Sequence, residues 1–308
     1  MIKKIIVVGS FVVDLTSRAS HLPVPGETVI GSAFKLGPGG KGANQGVAAK
    51  RAGADIVMVT KVGKDAFGDI ALKNFRDEGF DTKHILLDDE KETGSALIMV
   101  DENSGQNMIL VVSGACANFS KEDISRIEAE IISSDILLTQ LEINMDAIEK
   151  SVDIAYQNNV DIVLNPAPIQ DVSDELLRKV KYITPNEIEA SILTGVEIKK
   201  PEHASDSAKV FFEKGVKNVV ITLGEMGVYV SDGQKEEWVE PYKVKAVETT
   251  GAGDAFNGGF VTALSEGKNL FEAARYGNAV GALSVTKLGT APAMPYKKDI
   301  EEFIRSKG

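Results

Sequence analysis

KIIVVG, at Lys4–Gly9, indicates the fold class, because it is a continuous apolar run that ends in glycine. A run of this kind is typical of a strand with both faces buried in a parallel sheet. Similar runs recur along the chain, mostly separated by stretches with helical spacing, at Ile56–Val62, Asp135–Gln140, Val160–Leu164, Tyr182–Thr184 and Val219–Leu223. The alternation predicts an α/β fold, a doubly wound and mostly parallel sheet with helices on both faces. Ligands of such sheets bind beyond the carboxyl ends of the strands.

Two regions interrupt this alternation. Ser10–Leu36 has no convincing helical pattern, and Gly94–Ser113 reads as two β-rich arms around a polar Asn-Ser-Gly turn. We expect residues 11–36 and 94–113 to form a small antiparallel sheet. It is a candidate lid that also pairs two subunits into a homodimer, with a plain surface hairpin as the alternative. Since the sequence contains no linker or repeat, residues 1–308 are expected to form a single domain.

Composition narrows the classes of function. The net charge of −11 argues against broad binding of nucleic acid or anionic membranes. Cys116 is the only cysteine, so the chain can form neither an intrachain disulfide nor a cysteine zinc cluster, which fits a reducing compartment. The opening MIKKIIVVGS holds too short an apolar run for a signal peptide or a membrane span. We therefore expect a cytoplasmic protein.

The strongest chemical signal is ETTGAGDAF at Glu248–Phe256, a glycine-rich turn that runs into an apolar helix at Ala255–Leu264. Such a turn exposes backbone N–H groups at a helix N-terminus, where unpaired donors and the helix dipole attract phosphate. Asp254 stands at the same helix start, where a carboxylate can accept the proton of an attacking hydroxyl. Aspartate is also a common N-cap, but capping alone requires neither the two glycines nor the preceding threonine pair.

A second glycine-rich turn, GPGGKGANQ at Gly37–Gln45, leads into a helix at Ala43–Arg51. Its glycines formally match Gly-x-Gly-x-x-Gly, but the turn does not directly follow the first strand, which disfavours an NAD-dependent enzyme. Lys41 is followed by glycine where a Walker motif requires Ser or Thr.

Together the two turns resemble the N-terminal and C-terminal signatures of the ribokinase-like carbohydrate kinases, and the resemblance extends over essentially the whole chain. It implies an ATP-dependent kinase that transfers the γ-phosphate to the primary 5-hydroxyl of a pentose, with D-ribose as the first candidate. By this resemblance Asp254 is the catalytic base. The backbone N–H groups of Gly251, Ala252 and Gly253 form an anion hole.

The resemblance also assigns the contacts to the sugar, which are Asp14, Gly40, Lys41, Asn44, Glu142 and Asp254. Val12 stands where ribokinases usually carry an asparagine. An apolar side chain cannot pair with a hydroxyl, and a buried unpaired hydroxyl costs about 1–3 kcal/mol. This leaves 2-deoxyribose open as the substrate, besides fructose, ketodeoxygluconate and adenosine. A non-catalytic sugar sensor is the alternative of another class, which the presence of Asp254 and its glycines argues against.

The segment PNEIE, at Pro185–Glu189, begins a helix that ends near Thr194 and Gly195. Its Asn-x-x-Glu spacing puts two polar side chains one turn apart on one helix face, which also fits a capping box on Asn186. The resemblance implies that they organise the phosphates of ATP and a hydrated Mg²⁺, which Glu189 holds through water. The nucleotide contacts that it assigns are Asn186, Thr222, Gly224, Gly227, Gly253 and Asn278.

The segment SVTKLGTAP, together with the residues just before the second signature, matches a monovalent-cation loop of the same family. The resemblance implies that K⁺ binds there and activates the enzyme. The implied ligands, mainly through their backbone carbonyls, are Glu248, Thr250, Ser284, Lys287 and Gly289.

Overall fold

The strands and helices follow the predicted alternation in a computed structural model that describes residues 2–307. The strands are β1 (Lys4–Val8), β2 (Val12–Ala19), β3 (Ala33–Gly39), β4 (Asp55–Gly63), β5 (Ile85–Asp88), β6 (Thr93–Asp101), β7 (Asn107–Gly114), β8 (Ile136–Gln140), β9 (Asp161–Asn165), β10 (Tyr182–Ile183), β11 (Asn218–Thr222), β12 (Val228–Ser231) and β13 (Glu236–Val239). The helices are α1 (Lys41–Arg51), α2 (Ala66–Asp77), α3 (Lys121–Arg126), α4 (Glu128–Ile132), α5 (Met145–Gln157), α6 (Asp174–Leu177), α7 (Glu187–Thr194), α8 (His203–Glu213), α9 (Ala252–Ser265), α10 (Leu270–Ser284) and α11 (Lys297–Lys307).

Nine strands form the main sheet, in the order β13-β12-β11-β10-β9-β8-β1-β4-β5. The strands from β11 to β5 are parallel, and β12 and β13 extend the sheet in antiparallel fashion. The predicted doubly wound, mostly parallel sheet is confirmed. From β1 the chain first continues to β4 and β5 on one side and later to β8 and its neighbours on the other. The order of strands therefore reverses between β1 and β8, where such sheets form a ligand crevice.

Strand β1 shows why the sheet is buried on both faces. Ile5 and Val7 point into the core on the side of α1 and α9, while Ile6 and Val8 belong to the core on the opposite face. All four side chains are fully buried. Successive side chains of a strand point to opposite faces, so a continuous apolar run is required where helices cover both.

The second sheet has four strands, in the order β3-β2-β6-β7, and is called the lid sheet below. Its two outer pairs, β3 with β2 and β6 with β7, are antiparallel, whereas β2 and β6 pair in parallel. The parallel pair has a simple origin, because β2 and β6 continue the chain from β1 and β5, which run in the same direction in the main sheet. The residues of β7 from 107 to 112 are all exposed, although most are apolar.

Both glycine-rich turns place a helix start slightly earlier than predicted. The first helix begins at Lys41 with Gly40 as its N-cap, and the later one begins at Ala252 with Gly251 as its N-cap. Both caps have positive φ, 91° and 82°, a conformation that glycine adopts at little cost. Within residues 2–307, none of the helices combines the length and apolar character that crossing a bilayer requires.

Candidate active site

Two adjoining clefts lie at the switch point between β1 and β8. The first, of about 610 Å³, lies under the lid sheet and is called the lid cleft. The second, of about 160 Å³, runs along the carboxyl ends of β9, β10 and β11 and is called the inner cleft. Lys41, Gly251 and Asp254 line both clefts, so they mark the border where two bound molecules would meet.

Asp254 is nearly buried, with 7% of its surface exposed, and lies in the first turn of α9. Amide groups of α1 hold its carboxylate, because Asn44 donates to Oδ2 and Gln45 donates to Oδ1, each at 3.0 Å. Burial raises the pKa of this carboxyl, and the charge of Lys41 and the two amide hydrogen bonds oppose that rise. A carboxylate with a raised pKa is a better proton acceptor than an exposed one.

The start of α9 presents free backbone donors beside this carboxylate. Among residues 2–307, no acceptor is bonded to the N–H groups of Gly251, Gly253 and Asp254. The N–H of Ala252 instead donates to the carbonyl of Thr249 at 3.2 Å. The structure thus leaves two of the three predicted anion-hole donors free, adds the N–H of Asp254, and uses the Ala252 donor within the turn.

Asp14 lies in the lid cleft, where its Oδ2 accepts a hydrogen bond of 3.2 Å from the hydroxyl of Thr290. Burial raises the pKa of Asp14 to about 6, against the Thr290 hydrogen bond, and the negative charges of Glu142 and Asp254 add to the rise. Gly39 makes room for this carboxylate, since a Cβ at that position would lie 2.2 Å from Asp14 Oδ1.

Glu142 and Lys41 lie together in the lid cleft, and Lys41 also lines the inner cleft. Oε2 of Glu142 accepts hydrogen bonds from the hydroxyl of Ser10 and, at 2.8 Å, from the backbone N–H of Lys41. Burial alone would lower the pKa of the Lys41 ammonium, but the carboxylates of Asp254, Glu142 and Glu189 outweigh it and raise that pKa. Lys41 therefore carries a full positive charge at the border of both clefts. Gly40 and Asn44 line the lid cleft beside it.

Asn186 and Glu189 line the inner cleft and also form a capping box at the start of α7. Oδ1 of Asn186 accepts from the N–H groups of Ile188 and Glu189, at 2.9 and 2.8 Å, and Glu189 accepts from the N–H of Asn186 at 2.9 Å. The capping box is therefore confirmed, and the role of the two residues toward Mg²⁺ and the phosphates stays a prediction. Burial raises the pKa of Glu189, against its hydrogen bond and the charge of Lys41. Thr222 lies beside them in the same cleft.

Gly253, another predicted nucleotide contact, lines the inner cleft. Gly224, Gly227 and Asn278 lie outside the residues that line the two clefts, and their roles stay predictions. A Cβ on Gly227, which has φ 92°, would lie 2.2 Å from the carbonyl oxygen of Val239, so this glycine is required by packing against β13. Gly224 has open space where a Cβ would stand. Asn278 donates to the carbonyl of Glu240 at 2.8 Å and so ties α10 to the segment after β13.

The two segments of the predicted cation loop lie side by side, because the N–H of Gly289 donates to the carboxylate of Glu248 at 2.8 Å. Within residues 2–307, the backbone carbonyls of Glu248, Thr250, Lys287 and Gly289 accept no hydrogen bond. The carbonyl of Ser284 accepts from the N–H of Lys287 at 3.2 Å. Four of the five predicted carbonyl ligands are therefore free to bind a cation.

Sequence reasoning missed a group of buried polar side chains at the border of the clefts, three of which line the inner cleft. They are Gln45, Gln140, Asn165, Thr184 and Asn257, none of them more than 6% exposed. The available signal was positional, because Gln140, Asn165 and Thr184 each end or directly follow an apolar strand. Polar residues at that edge of a parallel sheet face the ligand crevice.

The chain is similar to known carbohydrate kinases over nearly its whole length. Residues 2–297 match the model of the pfkB family carbohydrate kinases. A ribokinase of Haemophilus influenzae is 44% identical over 304 residues, 99% of each chain, and a deoxyribokinase of Salmonella typhimurium is 34% identical over 301 residues, 97% of this chain and 98% of that one. The solved structure of an Arabidopsis thaliana ribokinase complexed with ribose and ATP matches with a TM-score of 0.90 and 29% identity, over 99% of both chains. The chain belongs to the pfkB family of carbohydrate kinases, and it is an ATP-dependent kinase.

Proposed function

We propose that this kinase transfers the γ-phosphate of ATP to the primary 5-hydroxyl of D-ribose, with Asp254 as the base. The observation that carries the proposal is the position of Asp254 on the border of two adjoining clefts. A sugar in the lid cleft and a phosphate in the inner cleft would meet at its carboxylate. The 44% identity to a ribokinase over nearly the whole chain supports ribose as the sugar.

The reaction needs positioning and charge stabilisation more than covalent help from the protein. The hydroxyl oxygen bonds to the γ-phosphorus, the bond from that phosphorus to the ADP oxygen breaks, and the hydroxyl proton passes to Asp254. The free N–H groups of Gly251, Gly253 and Asp254 face the charge that builds on the transferred group. The positive end of α9 and the ammonium of Lys41 act in the same direction.

On the sugar side, carboxylates suit a ligand that offers several hydroxyl donors. Asp14 and Glu142 accept from those hydroxyls, and Gly40 and Asn44 line the cleft at close range. The lid sheet covers this cleft with the apolar side chains of Ala96, Ile98, Ile109 and Val111. Closing the lid over the sugar would exclude water and suppress hydrolysis of ATP.

On the nucleotide side, Asn186, Glu189 and Thr222 line the cleft that receives the phosphates. ATP would bind as its Mg²⁺ complex, and Glu189 would hold the ion through a water molecule, as suits the retained hydration of Mg²⁺. Gly224, Gly227 and Asn278 extend the nucleotide site toward the purine.

The free carbonyls of Glu248, Thr250, Lys287 and Gly289 provide the hard oxygen ligands of a K⁺ site, with Ser284 nearby. A bound K⁺ would supply positive charge beside the turn that leads into α9. These residues already hold the turn through the hydrogen bond between Gly289 and Glu248. K⁺ would therefore stiffen the backbone whose donors face the phosphate.

A second candidate sugar is 2-deoxyribose, because Val12 lines the lid cleft with an apolar side chain. A hydroxyl facing this side chain would lack a partner, which costs about 1–3 kcal/mol. The 34% identity to a deoxyribokinase is consistent with this alternative.

We also propose that the protein is a cytoplasmic homodimer paired through the lid sheet. Strand β7 is an edge strand whose apolar residues Met108, Leu110 and Val112, which alternate with the residues that line the lid cleft, are 51–61% exposed. An edge of this kind offers unpaired backbone groups and apolar surface to a second copy.

The test is a coupled assay with MgATP across ribose, 2-deoxyribose, fructose, ketodeoxygluconate and adenosine, for the wild type and Asp254→Asn. We expect the highest kcat/KM with ribose. The variant should keep ATP binding and lose at least about 10²-fold in kcat. A kcat near that of the wild type would remove Asp254 as the base. Sugar binding without turnover in the wild type would indicate a sensor.

A further inference from the structure

Five buried polar side chains around Asp254, three of which line the inner cleft, have no role in the site described so far. We propose that they fix both the carboxylate and the backbone N–H of Asp254, and so act as positioning residues for phosphoryl transfer. The inference rests on the proposed function of Asp254 as the base. The group is called the amide network, and its members are Gln45, Gln140, Asn165, Thr184 and Asn257.

The first arm of the network holds the carboxylate. An ionised carboxylate only accepts hydrogen bonds, so the side-chain nitrogen of Gln45 must face Asp254. This nitrogen donates to Asp254 Oδ1 at 3.0 Å and to Asn165 Oδ1 at 2.9 Å, which uses both of its hydrogens. Its oxygen accepts from Nε2 of Gln140 at 2.7 Å. Gln140 thereby prevents the amide of Gln45 from turning its oxygen toward the carboxylate.

This arrangement is unfavourable for the stability of the fold. Oε1 of Gln140 is buried without a hydrogen-bond partner in the described part of the chain. It lies so close to the backbone of Gly9 that a Cβ there would be 2.2 Å away. A buried unpaired acceptor is unfavourable, and an apolar residue at position 140 would avoid it. Packing alone therefore does not account for the glutamine, whereas holding Gln45 does.

The second arm holds the backbone of the anion hole. The hydroxyl of Thr184 donates to Asn257 Oδ1 at 2.6 Å, so the nitrogen of Asn257 faces the other way and donates to the carbonyl of Gly253 at 2.9 Å. This carbonyl and the N–H of Asp254 belong to one planar trans peptide and point in opposite directions. Fixing the carbonyl therefore fixes the direction of the N–H that faces the phosphate.

The two arms are joined through Asn165, which accepts from Gln45 and donates to the carbonyl of Thr184 at 2.9 Å. All donors in the network are neutral amides or a hydroxyl. Neutral donors can orient a carboxylate without cancelling its charge, while a cation in contact with it would weaken it further as a base. The network thus suits a group that must be both oriented and basic.

The test begins with Gln45→Met, which keeps the volume and removes both donors. We expect kcat to fall by about 10- to 100-fold, with the KM values for ribose and MgATP each within about 3-fold of the wild type. Gln140→Met should lower kcat in the same way without touching the carboxylate, and it carries the test if the first variant does not fold. Thr139→Val is the matched control, because Thr139 is the buried neighbour of Gln140 on β8 but bonds to the carbonyl of Val8 instead. Its kcat should match the wild type.

A double-mutant cycle separates positioning from general damage. In an Asp254→Asn background, Gln45→Met should lower the residual kcat no further, because its donor acts through the carboxylate. Asn257→Leu should still lower it, since this side chain acts through the backbone N–H.

A wild-type kcat in Gln45→Met and Gln140→Met, or equal loss from Gln45→Met in both backgrounds, would overturn the inference while Asp254 kept its role. A rise of 10-fold or more in the KM for MgATP would also overturn it, because direct contact with the phosphates would then explain the residues. If Asp254→Asn alone kept a normal kcat, the proposed function itself would fail.

Discussion

Replacing Asp14 by asparagine should stabilise the sugar-free protein at neutral pH. Burial raises the pKa of Asp14 from 3.8 to about 6 in the folded state. The folded state therefore binds the proton more tightly than the unfolded chain does. This tighter proton binding contributes to the free energy of unfolding; the contribution is fully present below pH 3.8 and is lost as the pH rises through about 6. One pKa unit corresponds to 1.36 kcal/mol, so the full loss by pH 8 is at most about 3 kcal/mol.

Asparagine removes the charge at every pH, so the benefit of Asp14→Asn should grow with pH. Roughly half of the 3 kcal/mol, about 1.4 kcal/mol, falls between pH 5 and pH 8 for a shift of this size. Urea unfolding of wild type and variant at several pH values, without sugar, measures the difference in the free energy of unfolding. The free energy of unfolding of the variant should increasingly exceed that of the wild type as the pH rises. Its KM for ribose should increase by about 10-fold or more, because a charged acceptor is lost.

Asp65→Asn provides a control of opposite sign. Burial raises the pKa of Asp65, but hydrogen bonds from Thr93 and from the N–H of Gly68 outweigh it and lower that pKa. Its charge stabilises the fold, so the variant should lose stability at neutral pH. A stability difference between Asp14→Asn and wild type that did not change with pH would contradict the raised pKa. An Asp14→Asn protein less stable than the wild type at pH 8 would refute the reasoning altogether.

Three other perturbations have definite expected results. Lys61 forms buried ion pairs with Asp88 and Asp123, at 3.0 and 2.8 Å. Lys61→Met should therefore lower the free energy of unfolding, measured in urea, by about 3–5 kcal/mol. A loss below about 1 kcal/mol would contradict this expectation. K⁺ should raise kcat relative to a buffer whose only monovalent cation is tetramethylammonium, and equal rates would exclude the cation loop. Val12→Asn should raise the ratio of kcat/KM for ribose to that for 2-deoxyribose by about 10-fold, because it adds one hydrogen bond to a hydroxyl. An unchanged ratio would show that this side chain does not face the hydroxyl.

The fold could be predicted from sequence because its determinants are local. A run such as KIIVVG is apolar on both faces only where helices cover both faces of the sheet. In the structure Ile5 and Ile6 belong to the hydrophobic cores on opposite faces of the main sheet. The parallel pairing of β2 with β6 could not be read in this way. It depends on the directions of β1 and β5, which are set by pairing between segments far apart in the chain.

The candidate site could be located from the sequence where a residue type is unusual at its position, as for Asp254 after a glycine turn, and the structure places this residue on the border of both clefts. Glycine itself is an ambiguous signal, since it indicates that another group lies close to the backbone but does not distinguish a ligand from another part of the chain. At Gly227 the neighbour is the carbonyl of Val239, a part of the chain itself. The amide network was invisible for another reason: Gln45 and Asn165 are 120 positions apart, and only the folded sheet brings them to 2.9 Å.

The two clefts differ in the kind of hydrogen-bonding group that they present, and this difference fits the two substrates. The lid cleft offers the carboxylates of Asp14 and Glu142, which can accept hydrogen bonds from the hydroxyls of a sugar. The start of α9 offers free N–H groups, which suit a phosphate. Glu189 breaks this pattern, because it places a carboxylate in the inner cleft, where it would repel the phosphate. A divalent cation between the two would remove the repulsion, which would explain why a kinase with this carboxylate binds ATP together with Mg²⁺.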